Sequence, residues 1–251
     1  MMRLDKYLAE RTGMTRSESR KTITKGRVMV AGKICRKADT QLDETAAQIA
    51  LDGAPLAGEY KKYVYIMLNK PEGVVSASRD KRDTTVVDLV AADYPRRELF
   101  PAGRLDKTST GFVLLTDDGA LAHDLLAPKK HVDKVYFVRT DGALDDADCK
   151  AFVQGIMLGD GLECLPAKLE ILKSDAQSEA LITIHEGKFH QIKRMLASRG
   201  KPVVYLKRLS MGSLTLDEGL SKGEYRLLTA EEIKNLRESG QFAQGKAGAD
   251  K

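Results

Sequence analysis

At the start of the chain the apolar positions fall first at helical and then at strand spacing. Leu4, Tyr7 and Leu8 lie three and four apart, which predicts a short amphipathic helix over residues 3–11 that stops near Gly13. Thr15 is followed three residues later by Glu18, the spacing at which a hydroxyl and a carboxylate each satisfy a free backbone N–H at a helix start. A second helix is therefore expected over residues 16–25, ended by Gly26. Arg27-Val28-Met29-Val30 before Ala31-Gly32 reads as a strand entering a tight turn. The stretch Asp52-Gly53-Ala54-Pro55, with Gly58 beyond it, has the composition of turns and closes this part of the chain.

From Tyr63 the pattern changes. Tyr63-Val64-Tyr65-Ile66-Met67-Leu68 is a continuous aromatic and aliphatic run, as expected of a strand, closed by the polar turn Asn69-Lys70-Pro71-Glu72-Gly73. Further strands are expected near 111–116, 134–140, 167–173 and 179–185. Helices are expected near 84–92, 119–127, 145–154, 189–199 and 230–238. The two kinds of element are interspersed without a repeating strand–helix–strand unit, so the class is α+β. Residues 241–251 have the composition of a disordered tail. A chain of 251 residues makes two domains the natural division, placed at 1–60 and 61–240.

Composition adds exclusions. Hydrophobic residues make up 42% and charged residues 31%, which is globular rather than disordered. No stretch has the length and apolarity of a signal peptide or membrane span. Cys35, Cys149 and Cys164 are odd in number and form no C-x-x-C pair, so reduced thiols and a cytoplasmic location are expected, with no membrane partner. The net charge of +5 is uneven: residues 1–40 carry eleven Lys/Arg against four acids, a balance of +7, and the remainder carries −2. One basic end on a neutral body is what a polyanion-docking module would show. On the second helix, Arg16, Arg20 and Lys21 share one broad face and could meet phosphates together.

The chemistry centres on Gly103-Arg104-Leu105-Asp106-Lys107-Thr108-Ser109-Thr110-Gly111, followed by Phe112-Val113-Leu114-Leu115-Thr116-Asp117-Asp118-Gly119. Taken alone, Asp106 would be an ordinary aspartate in a turn before a strand, Tyr136 a core tyrosine and Lys193 a solvated lysine. The longer strings change that reading. Residues 3–33, with their opening Arg3-Leu4-Asp5 and the Val28–Gly32 hairpin, resemble the S4 RNA-binding module, although most members have Asn where this chain has Ala31. The Asp106 string resembles the signature loop of the S4-linked ribosomal RNA pseudouridine synthase family, in which many members carry an acid at the position of Thr108. Asn69–Gly73, Lys134-Val135-Tyr136, Glu186–Leu196 and Val203–Arg208 resemble further segments of that family, in the same order.

The resemblance implies a mixed, mainly antiparallel sheet with flanking helices. It also implies isomerisation of a uridine in ribosomal RNA, with Asp106 as catalytic carboxylate, acting as nucleophile or as proton acceptor. In the same way it gives Lys193 as the cation that keeps Asp106 ionised, Tyr136 as the ring stacked on uracil, and Arg104 as the filler of the gap left by the extruded nucleotide. Leu206 and Ile192 become apolar walls, and Lys188, His190, Gln191 and Arg194 contacts to RNA. Arg3, Arg16, Arg20, Lys21, Lys25 and Arg27 become the docking surface of the S4 module. Because the reaction consumes nothing, no cofactor and no metal are expected, and the chain has no H-E-x-x-H, P-loop or G-x-G-x-x-G pattern. Residues 125–136 resemble the corresponding stretch of the small-subunit (16S) rRNA enzymes, with Ala127 where Ser is usual, so 16S rRNA is the expected partner, free or within an assembly intermediate. A monomer is expected. The other readings are a large-subunit (23S) enzyme and a non-catalytic S4 protein.

Overall fold

The computed structural model describes residues 1–43, 48–56, 62–95, 97–127 and 130–239. The expected tail, Gly58, and Pro128-Lys129 of the subunit-discriminating stretch lie outside the described residues. The chain divides into two compact units, Met1–Lys62 with Tyr94–Arg97, and Tyr63–Asp93 with the chain from Glu98 onward.

The first unit is built from β1 (Met2–Arg3), α1 (Leu4–Thr12), α2 (Arg16–Thr24), β2 (Val28–Val30), β3 (Lys33–Cys35), β4 (Gln41–Leu42), β5 (Ile49–Leu51) and β6 (Ala54–Pro55). The helical spacing of Leu4, Tyr7 and Leu8 puts all three in one apolar core with Ile23, Val28, Leu42 and Ile49. The reciprocal cap forms as the spacing requires: the Glu18 N–H donates to Thr15 Oγ at 3.1 Å, and the Thr15 N–H donates to the Glu18 carboxylate at 2.6 Å. Sheet order is β3-β2-β5-β6. Both of its hairpin turns use paired left-handed residues, Ala31-Gly32 (φ 46° and 78°) and Asp52-Gly53 (φ 52° and 82°), whose twist matches that of the strands they join. Ala31 holds this conformation without the freedom of glycine.

The second unit contains β7 (Tyr65–Lys70), β8 (Phe100–Ala102), β9 (Thr110–Thr116), α3 (Gly119–Leu126), β10 (Lys134–Asp141), α4 (Asp146–Gln154), β11 (Ile156–Met157), β12 (Glu163–Cys164), β13 (Lys168–Lys173), β14 (Gln177–Ile184), α5 (Gln191–Ser198), β15 (Val203–Met211), β16 (Leu214–Thr215), β17 (Tyr225–Leu227) and α6 (Ala230–Ser239). The main sheet runs β13-β14-β10-β15-β9-β7-β17, with β8 and β16 paired at its margins. Every pairing is antiparallel except β15 with β9. All residues of β7 and β9 are buried, which is why both read as unbroken apolar runs rather than alternating ones. Tyr65, Phe112, Leu114, Leu125, Met211 and Leu236 share one core cluster. Helix α6 is fastened to it by Arg237, which donates to the Tyr65 hydroxyl at 2.6 Å while that hydroxyl donates to Asp118 at 2.6 Å.

The helix expected over 84–92 is largely absent, and only Asp88–Val90 form a short 3-10 turn. The backbone of 84–86 is engaged elsewhere, since the Val75 N–H donates to Thr84 and the Val86 N–H to Val75. Thr85 and Asp88 cap each other across the turn. The helix expected from residue 189 begins at Gln191 instead, because His190 sits in the left-handed region at φ 50°.

Gly111 lies where β9 runs parallel to β15, opposite Arg208. At φ 100° an added Cβ would overlap the Arg208 carbonyl oxygen and lie 2.8 Å from its backbone nitrogen. Gly111→Ala should therefore destabilise the protein by more than about 3 kcal/mol, from backbone strain and a clash with backbone that cannot move aside. Urea denaturation reads this directly, and an unchanged midpoint would contradict the close approach.

Candidate active site

Asp106 lies in the loop between β8 and β9, and this loop is held by backbone contacts on every side. Ser76 Oγ accepts from the Leu105 N–H at 3.0 Å and donates to the Leu105 carbonyl at 2.9 Å. The Gly73 N–H donates to the Lys107 carbonyl at 2.8 Å, and the Ser109 N–H donates back to the Asp106 carbonyl at 3.0 Å. Two fully buried cations complete the clamp. Lys70 Nζ donates to the carbonyls of Ser109 at 2.8 Å and Pro71 at 2.9 Å. Arg208 donates to Phe112 at 2.7 Å and to Gly103 at 3.2 Å, one carbonyl at each end of the loop. Burial pushes the Lys70 ammonium down to about 8, against the favourable charges of Asp106 and Glu72.

The Asp106 carboxylate opens into a cleft walled by Tyr136 of β10, Ile184 of β14, Leu206 of β15 and Ile192 of α5, with Arg104, Lys188, His190 and Lys193 around it. The four wall residues are buried, whereas the Asp106 side chain is 28% exposed. Two groups from the start of α5 meet it. Lys193 Nζ lies 3.2 Å from Oδ2 and His190 Nε2 lies 3.4 Å from Oδ1. Lys193 is steadied by donating to Thr108 Oγ at 2.8 Å. The site thus presents a charged carboxylate, a fixed cation and a flat apolar slot. That combination can hold a planar base beside a group able to attack or to accept a proton.

The structure therefore brings together Asp106, Tyr136, Lys193, Arg104, Leu206, Ile192 and His190. Gln191, expected against RNA, is buried at the cleft floor with its amide committed to the fold: it accepts from the Lys188 N–H at 3.0 Å and donates to Glu186 at 2.7 Å. Lys188 pairs with Glu186 at 3.2 Å and Arg194 with Asp160 at 2.5 Å. His190, expected against RNA, stands at the carboxylate itself. Lys70, Arg208 and Ser76 carried no expected role. The first two sit inside quoted motifs, so their letters were visible while their contacts were not.

In the first unit, Asp5 is fully buried and receives Arg3 at 3.1 Å, Arg16 at 2.9 Å and Arg20 at 2.8 Å. Burial alone would raise its carboxyl, but the hydrogen bonds from these arginines outweigh that and hold it well below the usual range. The three guanidinium side chains remain 41 to 55% exposed, fixed at one end and open at the other. Lys21, Lys25 and Arg27 are exposed as well, Arg27 being paired with Asp52 at 2.5 Å.

Comparison with known proteins agrees over nearly the whole chain. Residues 2–46 match the S4 domain and residues 64–198 match the family described as RNA pseudouridylate synthase. The chain is 44% identical to the uncharacterized RNA pseudouridine synthase YtzG of Bacillus subtilis, over 94% of this chain and 99% of that one. It is 40% identical to ribosomal small subunit pseudouridine synthase A of Escherichia coli, over 94% of this chain and 100% of that one. A crystal structure of a pseudouridylate synthase superposes with a TM-score of 0.63 at 38% identity, covering 94% of this chain and 100% of that one.

Lys70→Met removes the donor from buried carbonyls and should lower stability by about 2 kcal/mol or more. The pH dependence carries a sign. Between about 8 and the ordinary lysine value of 10.5, the unfolded chain holds a proton that the folded chain has released, so the stability contributed by this site rises with pH through that window. The wild type should gain on Lys70→Met between pH 8 and 10 in urea titrations, and parallel pH profiles would contradict the buried ammonium.

Proposed function

The chain belongs to the RNA pseudouridylate synthase family, with an S4 domain ahead of the catalytic domain, and on that premise we propose that it converts one uridine of small-subunit (16S) ribosomal RNA to pseudouridine with Asp106 as catalytic carboxylate. The observation that carries this reading is the single cleft in which Asp106 meets Lys193 at 3.2 Å between the walls formed by Tyr136, Ile192 and Leu206.

The reaction breaks the bond from uracil N1 to ribose C1′, turns the base, and joins C5 to C1′. The hydrogen on C5 leaves and N1 gains one, so nothing is oxidised or consumed. Asp106 serves at the sugar as nucleophile or as proton acceptor, and both roles require it ionised beside an apolar base. Lys193 stands against that carboxylate, 3.2 Å from Oδ2. Tyr136 offers a flat face to the uracil, and the aliphatic walls leave the free base room to turn while excluding water. A uridine reaches such a slot only by leaving its stack. Arg104, exposed on the same loop, fills the gap it leaves. The S4 arginines capture RNA through phosphates.

The small-subunit target rests on relatives named ribosomal small subunit pseudouridine synthase A and on the resemblance of residues 125–136. The enzyme acts in the cytoplasm as a monomer, on rRNA that is free or part of an assembly intermediate. Among the described residues no helix is long and apolar enough to cross a membrane.

Asp106→Asn should retain its melting temperature and its affinity for RNA while pseudouridine formation falls below detection. Turnover by this variant would remove Asp106 from the role. Pseudouridine mapping of total rRNA with and without the gene should show one site lost from small-subunit rRNA, and a loss confined to large-subunit rRNA would overturn the target. Arg16→Ala combined with Arg20→Ala should raise KM and flatten the fall of affinity with salt, by roughly 0.7 to 0.9 in log–log slope for each phosphate contact removed. An unchanged slope would place RNA capture elsewhere.

A further inference from the structure

We propose that Phe189 is a stacking platform for a nucleobase flanking the extruded uridine, an inference that rests on the function proposed above and names a contact which selects the substrate. Among the described residues Phe189 is the only exposed phenylalanine or tyrosine, at 71%. It stands at the cleft, between Lys188 and His190, both of which line it. One face of its ring is covered by His190, with ring centroids 3.9 Å apart and planes 18° from parallel. The other face is turned to solvent.

The pair is held rather than loose. His190 keeps φ 50°, a strained conformation for a side-chain-bearing residue and one that persists where its surroundings impose it. Here the Arg194 N–H fixes the His190 carbonyl at 2.9 Å, and the Gln191 amide fixes Lys188. The inner ring ends 3.4 Å from the Asp106 carboxylate. A base laid on the outer ring therefore extends a ring pair whose inner member reaches the Asp106 carboxylate through its edge. An aromatic face accepts any base, and bases splayed from a loop are what RNA-binding aromatics take. The target uracil belongs against Tyr136, so the base on Phe189 is a neighbour of the target.

The test uses the full-length protein and an RNA stem-loop carrying the uridine identified by mapping. It includes versions in which the base on the 5′ or the 3′ side is replaced by an abasic site. Phe189→Leu should raise KM for the intact RNA about ten-fold while kcat at saturation stays within about two-fold, and Phe189→Tyr should restore KM. One abasic RNA should cost the wild type a similar factor and cost Phe189→Leu nothing further. Losses that multiply would overturn the proposal. So would a fall in kcat with a shifted pH profile at constant KM, which would make the ring a support for His190 alone. If the wild type modifies no rRNA fragment at all, it is the proposed function that fails, and this inference with it.

Discussion

The contact on which the site depends is a carboxylate and an ammonium fixed against each other, Asp106 and Lys193. Lysine is a poor choice for that task unless its long side chain is restrained. Here the restraint is Thr108, whose hydroxyl accepts from Lys193 at 2.8 Å while the same ammonium reaches Asp106 at 3.2 Å. An acid at position 108 would share the ammonium between two negative charges, whereas the hydroxyl of Thr108 steadies it and leaves its charge to Asp106.

The same logic recurs at greater depth. A buried charge is unfavourable unless satisfied, and in this chain each satisfied one fixes a piece of backbone or a set of side chains. Lys70 and Arg208 are fully buried and donate to carbonyls of the catalytic loop, so two strands of the sheet dictate where that loop runs. Asp5 is the inverse case, a buried anion that aims three arginines. Apolar side chains of similar size could fill these volumes, but they would leave the facing carbonyls without donors and could not specify the path of the loop or the directions of the guanidinium groups.

What could be read in advance follows the range of the interactions involved. The cap of α2 depends on Thr15 and Glu18, three residues apart, and the buried strands β7 and β9 announce themselves as apolar runs. The segment 84–92 misled because its backbone hydrogen bonds go to Val75, a partner that no local pattern reveals. Helix α5 starts late because His190 sits in the left-handed region, which nothing in the side chain of histidine demands. That Asp106, Tyr136 and Lys193 would lie together was legible through resemblance to a family, and one cleft holds all three. The roles of Lys70, Arg208 and Gln191 were not, because a motif records which residue is present and not which carbonyl or amide it meets.

On the function proposed above, recognition divides along physical lines. Contacts from arginine to phosphate supply affinity and carry no base sequence, so the fan around Asp5 cannot choose a nucleotide. The slot between Tyr136 and the aliphatic walls meets the target only after extrusion. By then the energy of unstacking has already been committed. Selection among the many uridines of an rRNA must therefore act on the surrounding nucleotides before or during extrusion. The groups placed to do this are those at the rim of the cleft: Arg104 on the loop, and the stacked rings of Phe189 and His190 beside it. A contact at the rim favours extrusion of one uridine over another because it is made only when the neighbours are correctly disposed, and Asp106 then acts on whatever that geometry delivers.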